Sequence, residues 1–125
     1  MGRSWLQFNP RRAPFVSVRI QQDRYRALID TGAEVSLIAP ELSLRLGLAS
    51  IGTQVVVALN GNRQILQAVQ LPAVGFGNVD LDPCRAAVCQ VSRLGLPIEL
   101  ILGVNAFTGR RLQFDFKDGR IYIVE

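Results

Sequence analysis

Ala27-Leu28-Ile29-Asp30-Thr31-Gly32-Ala33 is the stretch on which the fold turns. An apolar run ends in one carboxylate, followed by a hydroxyl, a glycine and a small residue. Glycine permits a tight, exposed backbone turn that larger residues resist. The stretch therefore predicts a strand delivering Asp30 to a loop whose backbone N–H groups lie close to its carboxylate. The chain contains no histidine. Acid–base chemistry at Asp30 needs a second carboxylate.

The residues around this stretch extend the pattern. Upstream, Pro14-Phe15-Val16-Ser17-Val18-Arg19-Ile20 alternates apolar and polar, as a half-buried strand does. Gln21-Gln22-Asp23 turns the chain, and Tyr25 to Ile29 returns as the second strand. Downstream, Val35 to Ile38 reads as a short strand. Pro40 opens a helix at the position where proline is tolerated, Gly47 ends it, and its leucines fall on one side. Gln54 to Leu59 and Arg63 to Val69 flank Asn60-Gly61-Asn62, a strong hairpin signal. Leu71 to Phe76 continues as a strand, with Gly77-Asn78 as a turn, and Arg85 to Val91 is a further apolar strand. Gly95-Leu96-Pro97 breaks it. Ile98 to Leu102 leads to Gly103, and Val104 to Phe107 forms a short helix ended by Gly109. Leu112 to Phe116 and Arg120 to Val124 flank Lys117-Asp118-Gly119 as a second hairpin.

Length and composition agree with this reading. A chain of 125 residues fits one domain, with residues 1–13 as an arginine-rich N-terminal arm carrying Trp5 and Phe8, and 14–125 as the folded body. Hydrophobic residues make up 49% and charged residues 19%, while 11 glycines and 6 prolines punctuate short apolar runs. The result is a mostly β, all-β class fold with one or two short helices. The net charge of +4 comes from scattered arginines without a concentrated basic face, so nucleic acid is not an expected partner. No apolar run approaches the roughly 20 residues that span a bilayer, and no membrane insertion by these residues is expected. Cys84 and Cys89 stand an odd number of residues apart in one strand and point to opposite faces. They read as buried free thiols, which suits a reducing, cytoplasmic setting. A domain of a membrane-tethered or polyprotein precursor remains the other possibility. With two cysteines and no histidine, no metal site is expected and no cofactor is implied.

Three features now stand in one order: Asp30-Thr31-Gly32-Ala33 after two strands, the hairpin tipped by Asn60-Gly61, and Ile101-Leu102-Gly103 before a short helix. Together they resemble the retropepsin family, the single-domain aspartic proteases of retroviruses and their cellular and bacterial relatives. The resemblance covers residues 12 to 124 and implies a closed acid-protease barrel, one lobe per chain, assembled as a two-fold homodimer. It also implies an aspartic endopeptidase that takes a peptide or protein in extended conformation. The residues point to the same assembly independently. Peptide hydrolysis by carboxylates needs one ionised and one protonated group. Asp23, Asp80, Asp82, Asp115 and Asp118 have ordinary turn or hairpin positions. The second carboxylate is then Asp30 of a second copy.

By resemblance, Asp30 is catalytic, and Thr31 and Gly32 support the loop, the threonine by bonding across the dimer. Gly32 and Ala33 contact the substrate, Glu34 is a substrate-end contact or a solvated charge, and Asn60-Gly61 is the tip of a flap. Leu102-Gly103 packs behind the loop, and Asn105 matches an asparagine that commonly follows. Glu34 stands where retroviral enzymes carry a second aspartate, and Val104 where they carry arginine. Their arginine–aspartate network is therefore not copied, and Arg12 is the residue available to pair with Glu34. The 112–124 hairpin resembles the ending of the retroviral-like domain in DNA-damage-inducible shuttle proteins. Its alternating Phe114, Phe116, Ile121 and Ile123 are expected to form the main dimer contact. The alternative function is a non-catalytic dimerisation or peptide-binding module that keeps the fold.

Overall fold

Alternating apolar residues in Phe15–Ile20 (β2) and Asp23–Ile29 (β3) build an antiparallel hairpin in which Val16, Val18, Ile20, Tyr25, Ala27 and Ile29 are buried. The computed structural model describes residues 3–58, 60–91 and 97–124. Its other strands are β1 (Arg3–Gln7), β4 (Ser36–Ile38), β5 (Ser50–Val57), β6 (Arg63–Leu71), β7 (Val74–Phe76), β8 (Val79–Leu81), β9 (Cys84–Val88), β10 (Leu100–Leu102), β11 (Arg111–Asp115) and β12 (Arg120–Val124). Nine strands form one sheet in the order β5-β6-β9-β4-β10-β3-β2-β7-β8, and three form a second in the order β1-β12-β11. The fold is all-β; the described residues include one α-helix, Pro40–Arg45 (α1), and a 3-10 turn at Val104–Phe107.

The centre of the large sheet places the loop that matters. β10 runs parallel to β3, with Leu102 opposite Ile29, and antiparallel to β4, with Leu100 opposite Ile38. All three β10 residues are buried. That explains an unbroken Leu-Ile-Leu run where a half-exposed strand would alternate. The main core gathers these strands around Phe76, Leu42, Leu71, Leu81 and Phe107, and a smaller cluster packs Ala39, Val91, Ile98 and Ile101.

Several expectations need adjustment. The N-terminal arm contains a strand: β1 pairs with β12 from Arg3–Val124 to Gln7–Arg120. The Ser4 hydroxyl donates to the Phe76 carbonyl at 2.9 Å, and Phe8 is buried in the core. The expected strand from Leu71 to Phe76 breaks at Pro72-Ala73, because proline brings no N–H to a ladder. In α1 Leu42 and Ser43 are buried, while Leu44 is 82% exposed. Cys84 and Cys89 are free, but half-buried rather than buried. Ile121 and Ile123 of the C-terminal hairpin lie in the subunit's own core, with Leu112 and Phe114 packed beside them. That apolar face is thus covered within one chain. Phe116 turns toward Phe8, ring centroids 5.5 Å apart, and stays 59% exposed. Leu59 and the break expected at Gly95-Leu96 lie outside the described residues.

Candidate active site

Asp30 sits one residue beyond β3. Its backbone N–H donates to the Leu102 carbonyl at 3.0 Å, continuing the β3–β10 pairing into the loop. The loop then closes on itself. The Ala33 N–H donates to the Asp30 carbonyl at 3.1 Å, and the Gly32 N–H donates to Asp30 Oδ1 at 2.9 Å. The carboxylate is therefore half-buried with one oxygen fixed by backbone, while Thr31, Gly32 and Glu34 are exposed and Ala33 is half-buried.

Beneath the loop lies a second layer built from β4, β9, β10 and the 3-10 turn. The Val104 N–H donates to the Ala33 carbonyl at 2.8 Å. Gly103 lies so close that a Cβ there would stand 2.6 Å from the Ala33 carbonyl oxygen and 3.1 Å from Val35 backbone atoms. Only a residue without a side chain fits this approach. The Gly103 N–H donates to Ser36 Oγ at 3.0 Å. Ser36 in turn donates its hydroxyl to Asn105 Oδ1 at 2.8 Å and its backbone N–H to the same oxygen at 3.0 Å. Asn105 Nδ2 then donates to the Arg85 carbonyl at 2.7 Å. Ser36 is fully buried, and this network accounts for its polar atoms. Cys84 Sγ lies 4.0 Å from the Ser36 hydroxyl. Burial pushes the Cys84 thiol up from its ordinary value, and the bond to Ser36 opposes that more weakly.

Asp30, Thr31, Gly32, Ala33 and Glu34 form one loop, with Gly103 and Asn105 directly behind it. Asn60 and Gly61 stand apart at the exposed tip of the β5–β6 hairpin. There Asn62 N–H donates to Asn60 Oδ1 at 2.9 Å and Gly61 N–H to the Ala58 carbonyl at 2.9 Å. Among the described residues no hydrogen bond joins this tip to Asp30. Arg12 makes no ion pair with Glu34; its guanidinium lies over the Phe15 ring, 5.9 Å from the centroid. Val104 is 45% exposed, so the position that carries arginine in retroviral enzymes projects outward here. Ser36 is the site residue that sequence reasoning missed. Its signal was a serine inside the apolar run Val35-Ser36-Leu37-Ile38, since a buried hydroxyl requires partners.

Three other carboxylates are engaged elsewhere. Asp80 pairs with Arg19 at 3.6 Å and Glu99 with Arg45 at 3.4 Å, while Asp115 Oδ1 accepts from the backbone of Lys117 and Asp118. Among the described residues no three histidine, cysteine or acidic side chains cluster to hold a metal ion. Among the described residues no helix is long and apolar enough to cross a membrane.

The architecture and the glycine-backed aspartate loop define a retropepsin-like aspartic protease fold. A family model for aspartyl proteases matches residues 16–106. The chain belongs to that family. Among solved structures it is similar to a retropepsin-like aspartic protease from Rickettsia conorii, with a TM-score of 0.65 at 15% identity, covering 98% of this chain and 90% of that one. It is also similar to the retroviral protease-like domain of Ddi1 from Leishmania major, with a TM-score of 0.58 at 20% identity, covering 84% and 82% of the two chains. No curated protein sequence matches it.

Proposed function

We propose that this chain is an aspartic endopeptidase whose catalytic dyad is Asp30 of two copies brought together on a two-fold axis. The observation that carries the reading is the setting of Asp30. Its carboxylate is fixed by the Gly32 N–H on an open loop, the loop is buttressed from below by Gly103, and among the described residues no second carboxylate is hydrogen-bonded or paired to it. A turn cap alone would not need two layers of hydrogen bonds beneath a half-buried acid.

Two carboxylates about 3 Å apart repel by roughly 5 kcal/mol at an effective dielectric near 20. Such a pair holds one proton between its members and titrates as a unit. The ionised Asp30 takes a proton from a bound water, which attacks the scissile carbonyl. The protonated Asp30 of the other copy donates to the carbonyl oxygen, giving a tetrahedral diol. Collapse of the diol breaks the C–N bond as a proton passes to the leaving nitrogen. One water is consumed, and an acid and an amine are released. Gly32 and Ala33 contact the substrate backbone beside the dyad. The β5–β6 hairpin closes as a flap over an extended peptide, which binds as an added strand.

The second copy docks on the outer face of the terminal sheet, because the inner face is occupied by Ile121 and Ile123. Trp5 projects there, 43% exposed, with the Arg120 guanidinium 4.4 Å from its ring centroid. Aromatic and arginine anchors of this kind dominate many interfaces. The test is proteolysis of a peptide library at acidic pH by the purified chain and by Asp30→Asn. Cleavage lost in the variant supports the reading, and equal cleavage by both ends it.

A further inference from the structure

Arg85 bonds to the β5–β6 hairpin and, by way of Asn105 and Ser36, to the segment behind the Asp30 loop. It lies on β9, opposite Gln70 of β6, and its side chain crosses β6 to reach β5. There Nη2 donates to the Thr53 carbonyl at 2.7 Å and Nε to Gln54 Oε1 at 2.8 Å. Its own carbonyl accepts from Asn105, and three hydrogen bonds in series (Arg85–Asn105, Asn105–Ser36 and Ser36–Gly103) lead from it to Gly103 behind the Asp30 loop. Among the described residues Arg85 makes no ion pair. A half-buried guanidinium, which elsewhere would hold a carboxylate, here directs its donors at a hairpin. The rigid fork of arginine reaches two acceptors at once, and lysine would supply only one point of attachment.

The point of attachment is specific. β5 carries an irregularity between Ser50 and Gly52, and Gly52 has φ +126°, a backbone conformation open to glycine. Arg85 bonds immediately past this bend, at Thr53 and Gln54. Beyond the attachment, Val55, Val57 and Ile65 are 48%, 56% and 73% exposed. The hairpin is thus anchored at its base and unsupported toward its tip, with the anchor just beyond a bulge.

We propose that Arg85 is a positioning residue that sets the hinge of the 53–65 hairpin relative to the Asp30 loop. The inference rests on reading that hairpin as the flap. Its test is amide hydrogen exchange on the full chain, together with KM and kcat on an extended fluorogenic peptide, for wild type, Arg85→Met, Arg85→Lys and Gln54→Ala. In Arg85→Met, exchange across 53–65 should rise about tenfold while 16–29 is unchanged. KM should rise about tenfold with a smaller change in kcat, because flap closure contributes mainly to substrate binding. Arg85→Lys should recover part of both effects, and Gln54→Ala should reproduce them in weaker form. Unchanged exchange in 53–65, or a rise spread evenly over the sheet, overturns the proposal. Should Arg85→Met not fold, the exchange of Gln54→Ala decides by the same criterion. Because exchange is read without substrate, a chain that cleaves nothing would sink the protease reading and leave this result standing.

Discussion

The Ser36 hydroxyl donates to Asn105 Oδ1 over 2.8 Å while accepting from the Gly103 N–H at 3.0 Å. One buried hydroxyl therefore ties β4 to the segment that supports the Asp30 loop. Replacing it with Ser36→Ala leaves the Gly103 N–H without its partner and Asn105 with one donor fewer. The expected loss is about 1–3 kcal/mol in chemical denaturation. Peptidase kcat should fall further than stability alone explains, since a small displacement of a catalytic group is costly. Asn105→Ala should cost a similar amount, and the double variant less than the two losses added. Additive losses would show that the pair does not act as one unit.

Gly103→Ala probes the same layer from the other side. Its Cβ meets the Ala33 carbonyl oxygen at 2.6 Å, so the loop must shift outward. Overpacking of this kind costs about 1–3 kcal/mol. The thermal midpoint should drop and activity should be lost even at temperatures where the variant is folded. A variant as active and stable as wild type would mean the close approach is not needed.

The proton balance at Cys84 gives a pH signature. Burial raises the folded-state thiol above its ordinary value, so the folded chain holds this proton more tightly than the unfolded chain. The stability linked to it is fully present below the unfolded thiol's range and is lost as pH rises through the raised folded value. Urea midpoints should therefore fall between neutral pH and pH above 9, and Cys84→Ala should lessen that fall. Alkylation of Cys84 in the native protein should be slow at neutral pH. Fast alkylation, or an identical alkaline slope in the variant, would contradict the assignment.

Much of the fold around Asp30 was legible because its signals are local. Asp-Thr-Gly after an apolar strand, Asn60-Gly61 between two strand-like runs, and Gly103 before a short helix each act over a few residues. What stayed hidden depends on distant partners. Nothing near Arg3–Gln7 says that it will pair with β12 at the far end of the chain. Alternation in Phe114, Ile121 and Ile123 predicts an apolar face, yet cannot tell whether the subunit's own core or a second copy covers it. Ser36, a serine inside an apolar run, signalled a need for partners, but nothing near it in sequence names Asn105. Pro72 was the exception, a local breaker that was legible and was read through.

The terminal sheet sets a prediction about assembly. Truncation after Gln113 removes β12, the partner of both β1 and β11, so it would unfold the sheet and report little about dimerisation. Trp5→Ser is the cleaner change, because Trp5 lies on the outer face with Arg120 over it. The dimer dissociation constant measured by sedimentation should rise about tenfold or more, with unchanged circular dichroism. Wild-type protein that stays monomeric at high concentration would contradict the two-fold reading.

The central claim is that two copies of Asp30 make one site, and subunit mixing tests it most directly. Wild-type chains are combined with increasing amounts of Asp30→Asn under conditions where subunits exchange, and peptide cleavage is followed per wild-type chain. A shared dyad predicts a fall to about half at equal amounts and to about one tenth at ninefold excess of variant, because only wild-type pairs cleave. Activity per wild-type chain that stays constant at every ratio would contradict the account.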